Sequence, residues 1–203
     1  MQDPGSTLVT QYAAIPADSF VVDLCAAPGG KALELTRTAK MVLAVDKSEH
    51  RLARLLDNRS RLEAHNLFVA VGDARMPVVR NADVVLIDVP CTGTGTFRRH
   101  PDARWRLKIS DLSVMSALQG TILRAAAEVV RPGGLLIYST CSLEPEENEL
   151  QVEAFLKSNP DWLLEPPPAG SVPPETIDKG YLRVLPQLHG SDGAFAARLR
   201  RSQ

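Results

Sequence analysis

The chain has 203 residues, 44% apolar and 23% charged, the composition of an ordinary globular domain, which excludes wholesale disorder. Its 23 Lys and Arg face 24 Asp and Glu, for a net charge of −1, so it lacks the global basic excess of a nucleic-acid coat protein. No apolar run reaches the roughly 20 residues of a membrane span, and Met1-Gln2-Asp3-Pro4-Gly5 carries neither the basic stretch nor the apolar core of a secretory signal. The expectation is a cytoplasmic protein with no membrane partner. The cysteines, Cys25, Cys91 and Cys141, form no C-x-x-C pair, which predicts neither a disulfide framework nor a metal site.

In chain order, strand-like runs occur at Phe20 to Leu24, Met41 to Val45, Leu67 to Val71, Asp83 to Ile87 and Leu135 to Tyr138. They are apolar throughout rather than alternating, which suits a parallel sheet covered on both faces. Between them, Leu52, Leu55, Leu56 and Leu62 recur at helical spacing. So do Leu112, Met115, Ile122, Leu123, Ala126 and Val129, with Ser110 as the expected N-cap. A further helix is predicted to start near Pro145, with Glu146, Glu147 and Glu149 complementing its dipole. Six prolines between Pro160 and Pro174 predict a surface loop. Tyr181 to Leu185 and Ala194 to Leu199 then read as a closing hairpin across His189-Gly190-Ser191-Asp192-Gly193. This order predicts a doubly wound, Rossmann-like α/β sandwich, with a mainly parallel sheet and a terminal antiparallel hairpin. That is the class I methyltransferase arrangement rather than the ordinary dinucleotide fold.

The segment Asp23-Leu24-Cys25-Ala26-Ala27-Pro28-Gly29-Gly30-Lys31 joins the first strand to a helix. Its small residues let backbone approach a ligand at the carboxyl edge of the sheet. Asp46 ends the next strand, where a carboxylate can accept from two ribose hydroxyls, and Asp73 follows the third. Acids at successive strand ends suit a positively charged nucleoside such as S-adenosylmethionine and suit a pyrophosphate badly. There is no G-x-G-x-x-G.

Asp88-Val89-Pro90-Cys91 ends the fourth strand, and Ser139-Thr140-Cys141-Ser142 ends the fifth. If these strands pair, both thiols reach the rim that holds the cofactor crevice. Carbon 5 of a pyrimidine becomes nucleophilic once a thiolate adds to carbon 6. An acid must then stabilise N3, and a base must later remove the carbon 5 proton. Asp88, Cys91 and Cys141 supply those groups. Cys25 lies in the cofactor turn, and no thiol chemistry is expected of it.

DLCAAPGGK, AVDKS, GDAR, DVPCTGTGTFRRHPDARW and YSTCSLEPEENE, in this order, closely resemble the RNA 5-methylcytosine methyltransferases, notably the Sun branch. The similarity runs from Gln2-Asp3-Pro4 to Asp192-Gly193-Ala194-Phe195. It implies S-adenosylmethionine on Cys25, Ala26, Ala27, Pro28, Gly29, Gly30, Lys31, Asp46, Asp73 and Asp88. It implies Cys141 as nucleophile and Cys91 as the group assisting proton removal and release. Val89 replaces the commoner alanine, and TGTGTF replaces a more usual serine-alanine-threonine-glycine run. The family usually adds an amino-terminal RNA-binding domain. Residues 1–203 are therefore expected to be a single catalytic domain without it, and a monomer.

Between Phe97 and Lys108 lie Arg98, Arg99, His100, Arg104, Trp105 and Arg106, with Asp102 the only acid. The mixture of basic and aromatic groups beside the Cys91 rim predicts contact with RNA, ribosomal RNA being the expected partner, with the target cytosine unpaired or flipped. Arg198, Arg200 and Arg201 read as a solvated tail, and Trp162 as a packing anchor. Two readings compete with an RNA methyltransferase. A DNA cytosine-5 methyltransferase would use Cys91 as nucleophile and would not need Cys141. A non-catalytic assembly factor would keep the fold and the ligand without needing either thiol.

Overall fold

The computed structural model describes residues 3–203. Met1 and Gln2, which open the segment read against a secretory signal and the stretch of family similarity, lie outside the described residues. Helix α1 (Pro4–Ala13) is capped by Asp3, whose carboxylate accepts from Gly5 N. The alternating part then runs β1 (Phe20–Asp23), α2 (Gly30–Leu35), β2 (Met41–Asp46), α3 (Glu49–Arg61), β3 (Leu67–Val71) and β4 (Ala82–Asp88). After a short α4 (Ala103–Arg106) come α5 (Ile109–Ala127), β5 (Val130–Thr140), α6 (Glu149–Ser158) and β6 (Trp162–Leu164). The chain closes with β7 (Ile177–Asp178), β8 (Tyr181–Val184), α7 (Pro186–His189) and β9 (Ala194–Arg201).

The sheet order is β3-β2-β1-β4-β5-β9-β8-β7, with β6 also paired to β9. β1 to β5 are mutually parallel, and β9 inserts antiparallel beside β5. The reversal between β1 and β4 opens a crevice at the carboxyl ends of these strands, where ligands bind in open α/β sheets. The expected class I methyltransferase sheet is present, with its antiparallel close. No helix among the described residues is long and apolar enough to cross a membrane.

The central strands are buried on both faces. Val21, Val84, Leu86, Leu135 and Ile137 pack to one side, and Val22, Val85, Ile87, Leu136 and Tyr138 to the other. Edge strand β3 departs from that pattern, since Phe68 and Val71 are exposed.

Three expectations fail. Ser110 is not the N-cap of α5: Lys108 occupies that position, and its N–H donates to Asp111, so the helix begins earlier than a serine cap requires. Pro145 opens a 3-10 turn (Pro145–Glu147), and the helix starts only at Glu149. Glu147 is wholly buried there and does not serve as a solvated dipole partner. Arg198, Arg200 and Arg201 belong to β9 rather than to a tail. Arg198 is only 3% exposed, and Glu165 pairs with both Arg198 and Arg200. Trp162 is buried edge-on against Phe155, as an anchor should be.

Candidate active site

Pairing of β4 with β5 places Asp88 opposite Ser139. The chain leaves both strands on the same rim, and the Cys91 and Cys141 sulfurs lie 3.1 Å apart as free thiols. The two loops are laced together. Gly95 N donates to Cys141 O at 3.0 Å, and Leu143 N donates to Thr94 Oγ1 at 2.9 Å. Ser142 Oγ lies 3.3 Å from both Thr92 Oγ1 and Thr94 Oγ1. Gly95 is required at this crossing, because a Cβ there would fall 2.6 Å from Cys141 O and 2.8 Å from Gly193 Cα. The run TGTGTF thus supplies hydroxyls that bind the second loop and a glycine that lets it approach.

The thiols are electrostatically unequal. The S–H···S contact from Cys91 holds the Cys141 thiol below its ordinary value; burial and Asp88 oppose this, and Lys31 reinforces it. The same contact, with burial next, pushes Cys91 well above the ordinary thiol range. Cys141 is therefore the sulfur that more readily carries the negative charge. Cys25 is pushed up by burial first, then by Asp23 and Asp88.

Asp88 is held from two sides, by Lys31 Nζ at 2.7 Å and Ser139 Oγ at 2.8 Å. Lys31, read from the sequence only as part of the cofactor turn, thus reaches the reacting cluster. Burial would lower its pKa, but Asp88 and then Asp23 outweigh burial and raise it. Asp23 is 1% exposed, and burial followed by the Asp88 charge raises it to about 7. The charges around it come from α2, β2 and β4, which the sequence does not place beside it.

The turn after β1 is built around Gly29, at φ 105°, packed so tightly that a Cβ would meet Leu55 at 2.6 Å. Asp46 fixes the turn by accepting from Ala27 N at 3.0 Å and from Ser48 N at 2.9 Å. Asp73 faces the same space, and hydrogen bonds from Arg75 hold it at about 2. A cavity of about 330 Å³ is bounded by Asp46, Asp73, Asp88 and the two thiols, with Leu118 and Ile122 on its apolar side. Its size falls within the usual range for small ligands. Carboxylates at one end, an apolar wall and thiols at the other fit a cationic nucleoside whose reactive end points at the sulfurs. A wider groove of about 860 Å³ meets this cavity at Cys25, Ala27 and Asp88, and its lining mixes Arg54, Arg61 and Arg99 with the acids Asp3, Glu34 and Glu63. Among the described residues, no group of three or more His, Cys, Asp or Glu could hold a metal ion.

The basic segment divides in two. Arg99 pairs with Asp192 and lies 3.9 Å from Asp3, while Arg98 lies 3.6 Å from each of those acids. Both guanidinium groups remain about half exposed. His100 and Arg104 are exposed, and Trp105 is 88% exposed. The partners of Arg98 and Arg99 escape a reading of the sequence, since Asp3 and Asp192 lie at opposite ends of the chain.

Residues 12–200 match the family model described as 16S rRNA methyltransferase RsmB/F. The ribosomal RNA small subunit methyltransferase B of Vibrio cholerae is 41% identical over 201 residues, covering 93% of this chain and 46% of its own length. The structure of NSun6 from Pyrococcus horikoshii superposes with a TM-score of 0.88 at 29% identity, covering 100% of this chain and 53% of that one. A methyltransferase homologue from Pyrococcus horikoshii superposes with a TM-score of 0.79 at 31% identity, covering 98% and 67%. The chain spans about half the length of the curated relatives it matches. With two hydrogen-bonded thiols on the rim of a methyltransferase sheet and a family match across almost its whole length, the chain belongs to the RsmB/F family of 16S rRNA methyltransferases.

Proposed function

We propose that the chain transfers a methyl group from S-adenosylmethionine to carbon 5 of a cytosine in RNA, with ribosomal RNA the substrate and the cytoplasm the place of action. The observation that carries this reading is the unequal thiol pair beside Asp88, at the end of the 330 Å³ cavity. Cys25 and Ala27 line the cofactor cavity itself, while Ala26, Pro28 and Gly30 line the groove beside it, and Asp46 accepts from the ribose. S-adenosylmethionine, when bound, supplies an electrophilic methyl group on a sulfonium.

Cys141 adds as thiolate to carbon 6, forming a C–S bond and pushing the ring electrons toward N3. Asp88 stabilises N3, with the Lys31 ammonium at 2.7 Å as the local proton source. Carbon 5, now enamine-like, takes the methyl group. Once Cys141 is bonded to carbon 6 its charge is gone; Cys91 then loses its proton to solvent and, as thiolate, takes the carbon 5 proton, while N3 returns its proton to Lys31 through Asp88. The electron pair restores the C5–C6 double bond and expels Cys141 as thiolate.

The cytosine must leave its stack to reach sulfurs set at the strand ends. Arg54, Arg61 and Arg99, among the mixed charges of the groove that meets the cavity at Asp88, offer contacts to the RNA backbone. His100, Arg104 and Trp105 supply an exposed stacking and phosphate surface, joined by the free edges of Arg98 and Arg99. The test is methyl transfer from labelled cofactor to 16S ribosomal RNA, to DNA of the same sequence, and to neither. Label in RNA alone is expected. Label in DNA, or in neither, contradicts the reading.

A further inference from the structure

Two consecutive residues, Glu147 and Asn148, each grip one of the thiol-bearing loops. The Glu147 side chain is 0% exposed, and its hydrogen-bond donors among the described residues are all neutral. Its carboxylate accepts from Thr92 N at 2.9 Å and from Thr92 Oγ1, directly after Cys91. It also accepts from Gln119 Nε2 at 2.8 Å, and that amide in turn donates to Pro90 O at 2.9 Å, directly before Cys91. Tyr138 OH, on β5, donates to the Glu147 carbonyl. Asn148 does the same for the other loop. Its Oδ1 accepts from Thr140 Oγ1 at 2.6 Å, and its Nδ2 donates to Ser142 O at 3.0 Å, so both neighbours of Cys141 are held. Asn148 is also buried.

Burying an acidic side chain is costly unless its acceptors are filled. Here every donor that fills them comes from, or is tied to, the residues flanking Cys91. We propose that Glu147 and Asn148 are positioning residues, a two-residue clamp that sets the 3.1 Å separation of the Cys91 and Cys141 sulfurs. Glu147 fixes the Cys91 loop, Asn148 fixes the Cys141 loop, and their adjacency in the chain makes the two placements interdependent. This rests on the reading above only for the roles the thiols play in methylation.

The test reads the thiols directly, without RNA or methyl transfer. The alkylation rate of each cysteine by iodoacetamide is followed against pH by mass spectrometry, in the intact 203-residue chain. In the unaltered chain, Cys141 should titrate below the ordinary thiol value of about 8.5. In Glu147→Ala and in Asn148→Ala, Cys141 loses the aligned Cys91 donor. Its midpoint should rise by about one pH unit, cutting the thiolate fraction near neutral pH about tenfold. Glu147→Gln keeps acceptors for Thr92 N and Gln119, and should stay within about twofold of the unaltered chain. Thr92→Val removes the Oγ1 hydrogen bond to Glu147, along with the 3.3 Å contact to Ser142 Oγ, and serves where the alanine variants do not fold. It should move the midpoint the same way by a smaller amount. An unmoved Cys141 midpoint in folded Glu147→Ala, or in Thr92→Val, would overturn the proposal. A moved midpoint in a chain that methylates no RNA would leave the clamp standing and remove the reaction assigned above.

Discussion

Cys91 and Cys141 lie 50 positions apart in the chain, yet their sulfurs are 3.1 Å apart without a covalent bond. A single S–H···S contact lowers one thiol and raises the other. That asymmetry gives a physical basis for two different tasks on one rim.

Asp46 braces the cofactor turn through Ala27 N and Ser48 N while facing the cavity. Asp46→Ala should weaken binding of S-adenosylhomocysteine by about 2 to 3 kcal/mol, roughly 30- to 150-fold. Calorimetric titration measures this. Cys91→Ala and Cys141→Ala should bind it as the unaltered chain does.

Asp23 should make the fold less stable as pH rises. Its folded value of about 7 lies above the ordinary 3.8, so the native state holds this proton more tightly than the unfolded chain. Stability is then highest below about pH 4, falls between about 4 and 7, and is level above. Asp23→Asn keeps an acceptor for Cys25 N and removes the titration. It should be more stable than the unaltered chain at pH 8, by at most about 4 kcal/mol, with the difference shrinking toward pH 4. Urea denaturation at the two pH values gives the comparison.

The two halves of the basic segment should behave differently. Arg104→Ala with Trp105→Ala should weaken RNA binding and leave the melting temperature unchanged. Every phosphate that the variant no longer neutralises should lower the slope of log K against log salt by about 0.7. Arg99→Ala should instead lower stability by about 1 to 2 kcal/mol, because it strips a partner from the buried carboxylate of Asp192. Filter binding at several salt concentrations and thermal unfolding separate the two effects.

The parts of this site legible in the sequence are those governed by local chemistry. DLCAAPGGK had to be a tight strand-to-helix turn, and the segments that carry Cys91 and Cys141 had to share one rim once two apolar runs paired in parallel. Both expectations match the structure. Glu147 misleads because an acid in the run EPEENE has the composition of a solvated first turn, and Glu is seldom buried. What buries it is donors 55 and 28 positions away, on Thr92 and Gln119. Arg198 misleads for the same reason: its partner, Glu165, arrives from beyond the β6 edge. Side-chain pairs closed across the fold leave no periodic trace in a single sequence.

The two thiols divide the labour of one reaction, and denaturing gel electrophoresis of the chain with RNA and cofactor tests that division most directly. Cys141→Ala should be inactive and form no adduct. Cys91→Ala should methylate once and fail to release, giving a denaturation-resistant protein–RNA adduct that mass mapping assigns to Cys141. An adduct assigned to Cys91, or one formed by Cys141→Ala, would contradict this division and reverse the roles of the two sulfurs.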